Sequence, residues 1–117
     1  MKQILVVDDD ASIRELFHQY LSHAGYQVTA AKDGLDVMSK FVNNDFDAVI
    51  ADYSMPGING VELIRKLRTF KPEINAILLS ASRLEPVAAE ENVYFLHKPA
   101  NMETLVDYLS IILSGTG

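Results

Sequence analysis

Residues 4–10 read Ile4, Leu5, Val6, Val7, Asp8, Asp9, Asp10: four aliphatic side chains running straight into three carboxylates. A continuous β-branched and aliphatic run of this kind fits a strand buried on both faces, the habit of parallel sheets. Helical spacing follows it, with Ile13, Leu16, Phe17, Tyr20, Leu21 and Ala24 returning to one face. Ser12 with Glu15 has the form of a capping box opening that helix, and Gly25 stands where a helix closes.

The same alternation continues outward. Residues 26–31 read as a second strand, and Asp33 with Gly34 turns the chain into a helix carrying Leu35, Met38, Phe41 and Val42. Residues 47–51 read as a third strand. After a loop over 53–59 comes a helix bearing Val61, Ile64 and Leu67, which stops before Pro72 because proline disfavours the helical backbone in its predecessor. Residues 76–79 and 93–96 supply strands four and five, and a last helix over about 102–113 follows Asn101, a good N-cap. Residues 83–92 are short and contain Pro86, which predicts one irregular helix. Five strands alternating with helices predict a doubly wound α/β fold, a parallel sheet covered on both faces.

Composition narrows the function. The 117 residues leave room for one domain, 1–117, with 49% apolar and 22% charged residues, the balance of an ordinary globular chain. The absence of cysteine removes disulfides, thiolate metal sites and thiol nucleophiles together. Ten basic against sixteen acidic residues give a net charge of −6, the wrong sign for a nucleic-acid or anionic-lipid binder. No apolar run approaches the ~20 residues of a membrane span, and the N-terminal stretch is no secretory signal. The expectation is a cytoplasmic domain, bacterial in style.

In an open α/β sheet, ligands bind beyond the carboxyl ends of the strands. Asp8, Asp9 and Asp10 end strand one, Asp52 ends strand three, Ser80 ends strand four, and Lys98 with Pro99 follows strand five. A strand order of 2-1-3-4-5 makes strands one and three neighbours and brings Asp9 to Asp52. Clustered carboxylates repel and call for a cation; a few hard oxygen ligands suit Mg²⁺ better than zinc. A lysine beside such a site suits an anion that bridges both charges, and a phosphoryl group does so. His18, His23 and His97 are scattered and form no competing cluster.

Taken together, residues 4–10, Asp52 through Gly57, Asn59 with Gly60, Ser80 with Ala81, and Lys98 with Pro99 resemble the receiver domain of bacterial two-component response regulators, of the chemotaxis-regulator kind. The resemblance spans nearly the whole chain. It implies a flavodoxin-like fold and phosphorylation of Asp52 by a sensor histidine kinase or phosphotransfer protein. It implies that Asp8, Asp9, Asp52 and the backbone carbonyl of Ser54 hold Mg²⁺. By the same carry-over Lys98 pairs with the phosphoryl oxygens, Ser80 hydrogen-bonds to them, and Phe95 is the aromatic that moves when Ser80 does. Such a domain is a phosphoacceptor that assists its own phosphorylation and dephosphorylation and controls an output partner; it is not a turnover enzyme.

Three departures stand out. Ser80 occupies a position where threonine is commoner in the family, Phe95 lacks a phenolic hydroxyl and can switch by packing only, and the stretch from Ser80 to Lys98 is shorter than usual. Two rival readings remain. One is a receiver-like docking module that is never phosphorylated. The other is a Mg²⁺-dependent phosphatase of the haloacid-dehalogenase type, in which Asp8-x-Asp10 would carry the nucleophile. A flavin binder on the same fold would need a Ser/Thr/Gly-rich phosphate loop after strand one, and there is none. On the last helix, Met102, Leu105, Val106, Leu109, Ile112 and Leu113 share one stripe, with Tyr108 at its margin and Ile111 nearly opposite. That exposed isoleucine lies on a face shared by the shortened helix over 83–92, strand five and the last helix. The face marks a candidate contact, in a homodimer or with an output protein, that phosphorylation would strengthen.

Overall fold

The computed structural model describes residues 1–81, 93–98 and 101–114. Five strands alternate with helices: β1 (Gln3–Val7), α1 (Ala11–His23), β2 (Gln27–Ala31), α2 (Gly34–Phe41), β3 (Ala48–Asp52), α3 (Gly60–Leu67), β4 (Asn75–Ser80), β5 (Val93–His97) and α4 (Met102–Ser114). The sheet is wholly parallel, as the alternation predicted, and its order is the expected β2-β1-β3-β4-β5.

Two cores sandwich this sheet. Leu5, Val7, Val49, Ala51, Ala76 and Leu78 face α2 and α3, while Ile4, Val6, Ala48, Ile50, Ile77 and Leu79 face α1 and α4. Every residue of β3 is buried, so its aliphatic run has no polar side to present. Phe46, just ahead of β3, is fully buried and stacks on Phe41 with ring centroids 5.9 Å apart. Burial of a side chain that size contributes roughly 1.5–3 kcal/mol.

The helices start and stop where side chains meet free backbone groups. Asp33 caps α2 through the amide of Asp36 at 2.9 Å, and Asn101 stands ahead of α4 with its side-chain Oδ1 accepting from the amide of Thr104 at 3.1 Å. Asn59 opens α3 by a reciprocal capping box with Glu62. Gly25 takes φ 101° just after α1, a conformation that glycine adopts without penalty.

Several local expectations need correction. Asp10, not a Ser12–Glu15 box, caps α1: its carboxylate accepts from the amides of Ser12 at 2.8 Å and Ile13 at 3.4 Å. An acid already sits one peptide before the helix, so the serine is displaced into the first turn. In α1 only Phe17 and Leu21 are fully buried, with Leu16 and Tyr20 on the flank. In α2 the buried stripe is Val37 and Phe41, one turn apart, with Met38 beside them. Leu35 lies about 200° round the helix from Val37 and is 86% exposed; Val42, past the last turn, is 61% exposed. The short irregular helix expected at 83–92 lies outside the described residues, as does Pro99.

Candidate phosphoacceptor and metal site

Parallel pairing puts the ends of β1, β3, β4 and β5 along one edge, and hydrogen bonds just past the strands continue the register there. The amide of Asp8 donates to the Ala31 carbonyl (3.2 Å), that of Tyr53 to Leu79 (2.8 Å) and that of Lys98 to Ser80 (2.8 Å). The side chains that follow therefore leave the sheet at fixed spacings. Asp8, Asp52 and Ser80 are the three buried polar residues among those described.

The carboxylates of Asp8, Asp9 and Asp52 converge, each offering an oxygen within 4.8 Å of the others. Asp9 is exposed at the mouth, while Asp8 and Asp52 form the floor. One oxygen of Asp52 accepts from the Ser54 amide at 3.2 Å, and the other accepts from Lys98 Nζ at 2.8 Å. Asp8 Oδ1 accepts from the Asp10 amide at 2.9 Å. Asp8 Oδ2 is buried without a hydrogen-bond partner, 3.7 Å from Lys98 Nζ. Burial pushes the Asp8 carboxyl above its ordinary pKa, although the Asp10 amide and Lys98 pull the other way. For Lys98, burial works against the charge, but the bond to Asp52 and the proximity of Asp8 hold its pKa above the ordinary value.

A buried carboxylate oxygen with no donor costs about 1–3 kcal/mol or more, unless a cation answers it. Three oxygen donors of this hardness, one facing solvent, fit a small divalent ion that keeps part of its water. The residue set thus fits Mg²⁺. Asp10, third in the acidic run, is turned away to cap α1 and stays outside the cluster.

The sequence profile of the response regulator receiver domain matches residues 4–110. The chain belongs to that family. As a receiver domain of two-component response regulators, it is a signalling module. It is 35% identical over 119 residues to response regulator MprA of Mycobacterium sp. (strain KMS), covering 97% of this chain and 51% of that protein. The receiver therefore spans about half the length of the curated relatives it matches. Among solved structures it resembles a response regulator receiver domain protein from Clostridium thermocellum (TM-score 0.90, 25% identity, 98% and 96% of the two chains). It also resembles response regulator protein TrrA from Thermotoga maritima in complex with Mg²⁺-BeF (TM-score 0.85, 34% identity, 97% and 100%). TrrA has also been solved with histidine kinase ThkA, with a TM-score of 0.84 to this chain.

Within this receiver, the residues expected at the site fall as follows. Asp8, Asp9, Asp52 and Lys98 come together; Ser80 is buried at the end of β4, its carbonyl bound by the Lys98 amide. Ser54 is exposed beside Asp52, with its amide rather than its hydroxyl on the carboxylate. Phe95 pairs in register with Leu78 and packs on the α2–α3 side of the sheet, the face that alternation also assigns to Ser80. Two contributors had no role assigned from the sequence: Gly60, quoted only for the resemblance, and Arg14. Gly60 donates its amide to the Tyr53 carbonyl at 2.8 Å, and a Cβ there would lie 2.8 Å from the Asp52 carbonyl. Arg14 reaches back from α1 to the Asp8 carbonyl at 2.8 Å. The signal for Arg14 was a cation one helical turn after the acidic run.

Proposed function

We propose that this receiver, taken as residues 1–117, accepts one phosphoryl group on Asp52 from a histidine kinase or phosphotransfer protein and changes its affinity for an output partner. The observation that carries the reading is the 2.8 Å contact of Lys98 Nζ with Asp52 inside a convergent acidic cluster. A carboxylate oxygen of Asp52 attacks the phosphorus of a phosphohistidine in line; the O–P bond forms as the N–P bond breaks, and the electron pair of the N–P bond returns to the imidazole. Lys98 leaves its ion pair with Asp52 to meet the incoming phosphoryl oxygens. Asp8, Asp9, Asp52 and the Ser54 carbonyl hold Mg²⁺, which when bound neutralises charge on the transferring group. The domain assists this transfer, and the later hydrolysis, by positioning and charge.

The product carries about two negative charges where Asp52 carried one. Ser80 then donates its hydroxyl to a phosphoryl oxygen, and Phe95, on the same sheet face, repacks into the space near Ser80. Such a local charge biasing a two-state element is what a switch requires. Asp10 is committed to the α1 cap, so the phosphatase reading lacks its second acid. No helix among the described residues is long and apolar enough to cross a membrane, which agrees with a cytoplasmic receiver.

For output we propose the β5–α4 face. Tyr94 meets Tyr108 edge-on at 6.4 Å, and with Ile111 and Ile112 they line an open groove of about 260 Å³. Ile111 is 71% exposed there. An output protein or a second copy of the chain docks on this face.

The reading is tested with acetyl phosphate and Mg²⁺. One phosphoryl group labile to acid and base is expected per chain, and none in Asp52→Asn; no incorporation from acetyl phosphate or from a histidine kinase would leave the docking-module reading in its place.

A further inference from the structure

Arg14 sits in the first turn of α1, where its own amide makes the helix's opening bond to the Asp10 carbonyl at 3.1 Å. A cation is unfavourable there, because the helix N-terminus already carries partial positive charge. Among the described residues Arg14 makes no ion pair that would offset this. Its guanidinium instead folds back, half-buried, and donates from Nη1 to the carbonyl of Asp8. A locally disfavoured residue with one specific contact points to a role at that contact.

That contact completes the anchoring of Asp8. The Asp8 amide is held by Ala31 at 3.2 Å, and Oδ1 by the Asp10 amide at 2.9 Å. β1 has ended, so no strand is left to bind the Asp8 carbonyl, and Arg14 supplies the donor. With carbonyl, amide and Oδ1 all fixed, Oδ2 is the atom left facing Asp52 and Lys98. The same peptide carries Asp9, whose carboxylate must turn back over the mouth to join the cluster.

We infer that Arg14 is a positioning residue: by holding the Asp8 carbonyl it fixes the Asp8–Asp9 peptide so that both carboxylates converge on Asp52. The metal arm of the test below rests on the Mg²⁺ reading above, and the amide arm does not.

Position and charge make opposite predictions. Removing a cation near an acidic cluster would by charge alone tighten Mg²⁺ binding. Removing the brace loosens two ligands and weakens it, by about tenfold if it acts like other residues that orient metal ligands. In Arg14→Met, which keeps the apolar stem, calorimetric titration is expected to show Mg²⁺ affinity down about tenfold. Arg14→Lys, with charge and a donor restored, should fall between. By NMR of the metal-free proteins, the Asp10 amide should exchange faster in Arg14→Met while the β3 amides stay as protected as in the wild type. Mg²⁺ affinity unchanged or raised in Arg14→Met would overturn the inference, and so would an equally protected Asp10 amide. A wild type that binds no Mg²⁺, together with loss of Asp10 protection in Arg14→Met, would support the brace and overturn the metal reading alone.

Discussion

Lys98 Nζ lies 2.8 Å from Asp52 Oδ2, joining residues 46 positions apart at the ends of β5 and β3. The pair is internal and partly desolvated, so its loss should be felt in stability as well as in chemistry. Truncating one partner of such a pair leaves the other uncompensated. Lys98→Met is expected to lower the rate of phosphorylation by acetyl phosphate by more than tenfold, with Mg²⁺ binding retained. Lys98 is held above its ordinary pKa, so its contribution to stability is fully present below that ordinary value and disappears as pH rises through the elevated one. Melting temperatures of wild type and Lys98→Met should therefore converge at strongly alkaline pH.

Asp8 follows the opposite sign. Its folded pKa is raised by burial, so ionised Asp8 is destabilising in the metal-free protein. The penalty is absent below the unfolded value, grows as pH rises through the folded value, and is complete above it. Without Mg²⁺ at pH 7, Asp8→Asn should melt higher than wild type. Melting curves at pH 3.5 should show that gain shrinking; a lower melting temperature at pH 7 would contradict the burial argument.

Mg²⁺ should relieve the same strain. At a hundred times its dissociation constant, a ligand that binds only the folded state adds about 2.7 kcal/mol. A rise in melting temperature with Mg²⁺ is expected in the wild type and should vanish in Asp9→Ala. An Asp9→Ala protein that responds as the wild type does would remove Asp9 from the metal site.

Gly60 packs where no side chain fits. A Cβ would lie 2.6 Å from Leu78 Cδ2, 2.8 Å from the Asp52 carbonyl and 3.1 Å from the Tyr53 Cα. Leu78 can rotate away, but the two backbone atoms cannot without moving the phosphoacceptor. Gly60→Ala should destabilise by about 1–3 kcal/mol, the usual cost of overpacking, and slow phosphorylation beyond what that loss explains. Urea unfolding and acetyl phosphate kinetics on one preparation check both.

Ile111→Glu tests the output face. The side chain is largely exposed, so stability should stay within about 0.5 kcal/mol of wild type. Self-association or partner binding in the presence of beryllofluoride, followed by light scattering, should weaken. A monomer in both states, with partner binding intact, would take the β5–α4 face out of the mechanism.

Much of this architecture was legible because its strands are largely apolar runs that end in polar residues. Asp8, Asp52, Ser80 and Lys98 each mark a strand exit, and one parallel register brings all four to a common edge. What escaped reading is local and depends on phase. Leu35 and Val42 are placed on the helix by apolar type, although Asp33 already marks its start; packing against the sheet turns Val37 and Phe41 inward instead. Asp10 continues the acidic run, but it lies next to the first turn of α1 and is taken by two free amides. Arg14 and Gly60 serve the site through backbone atoms of Asp8 and Asp52, and contacts to backbone leave no mark in residue type.

The most direct test of phosphorylation at Asp52 is chemical mapping. The protein is incubated with acetyl phosphate and Mg²⁺, reduced with borohydride, digested and sequenced by mass spectrometry. Reduction converts an acyl phosphate to an alcohol, so the modified aspartate is read directly. The alcohol is expected at Asp52 alone, and absent when Asp52→Asn is treated in the same way. An alcohol at Asp8, or undiminished labelling of the Asp52→Asn protein, would contradict it.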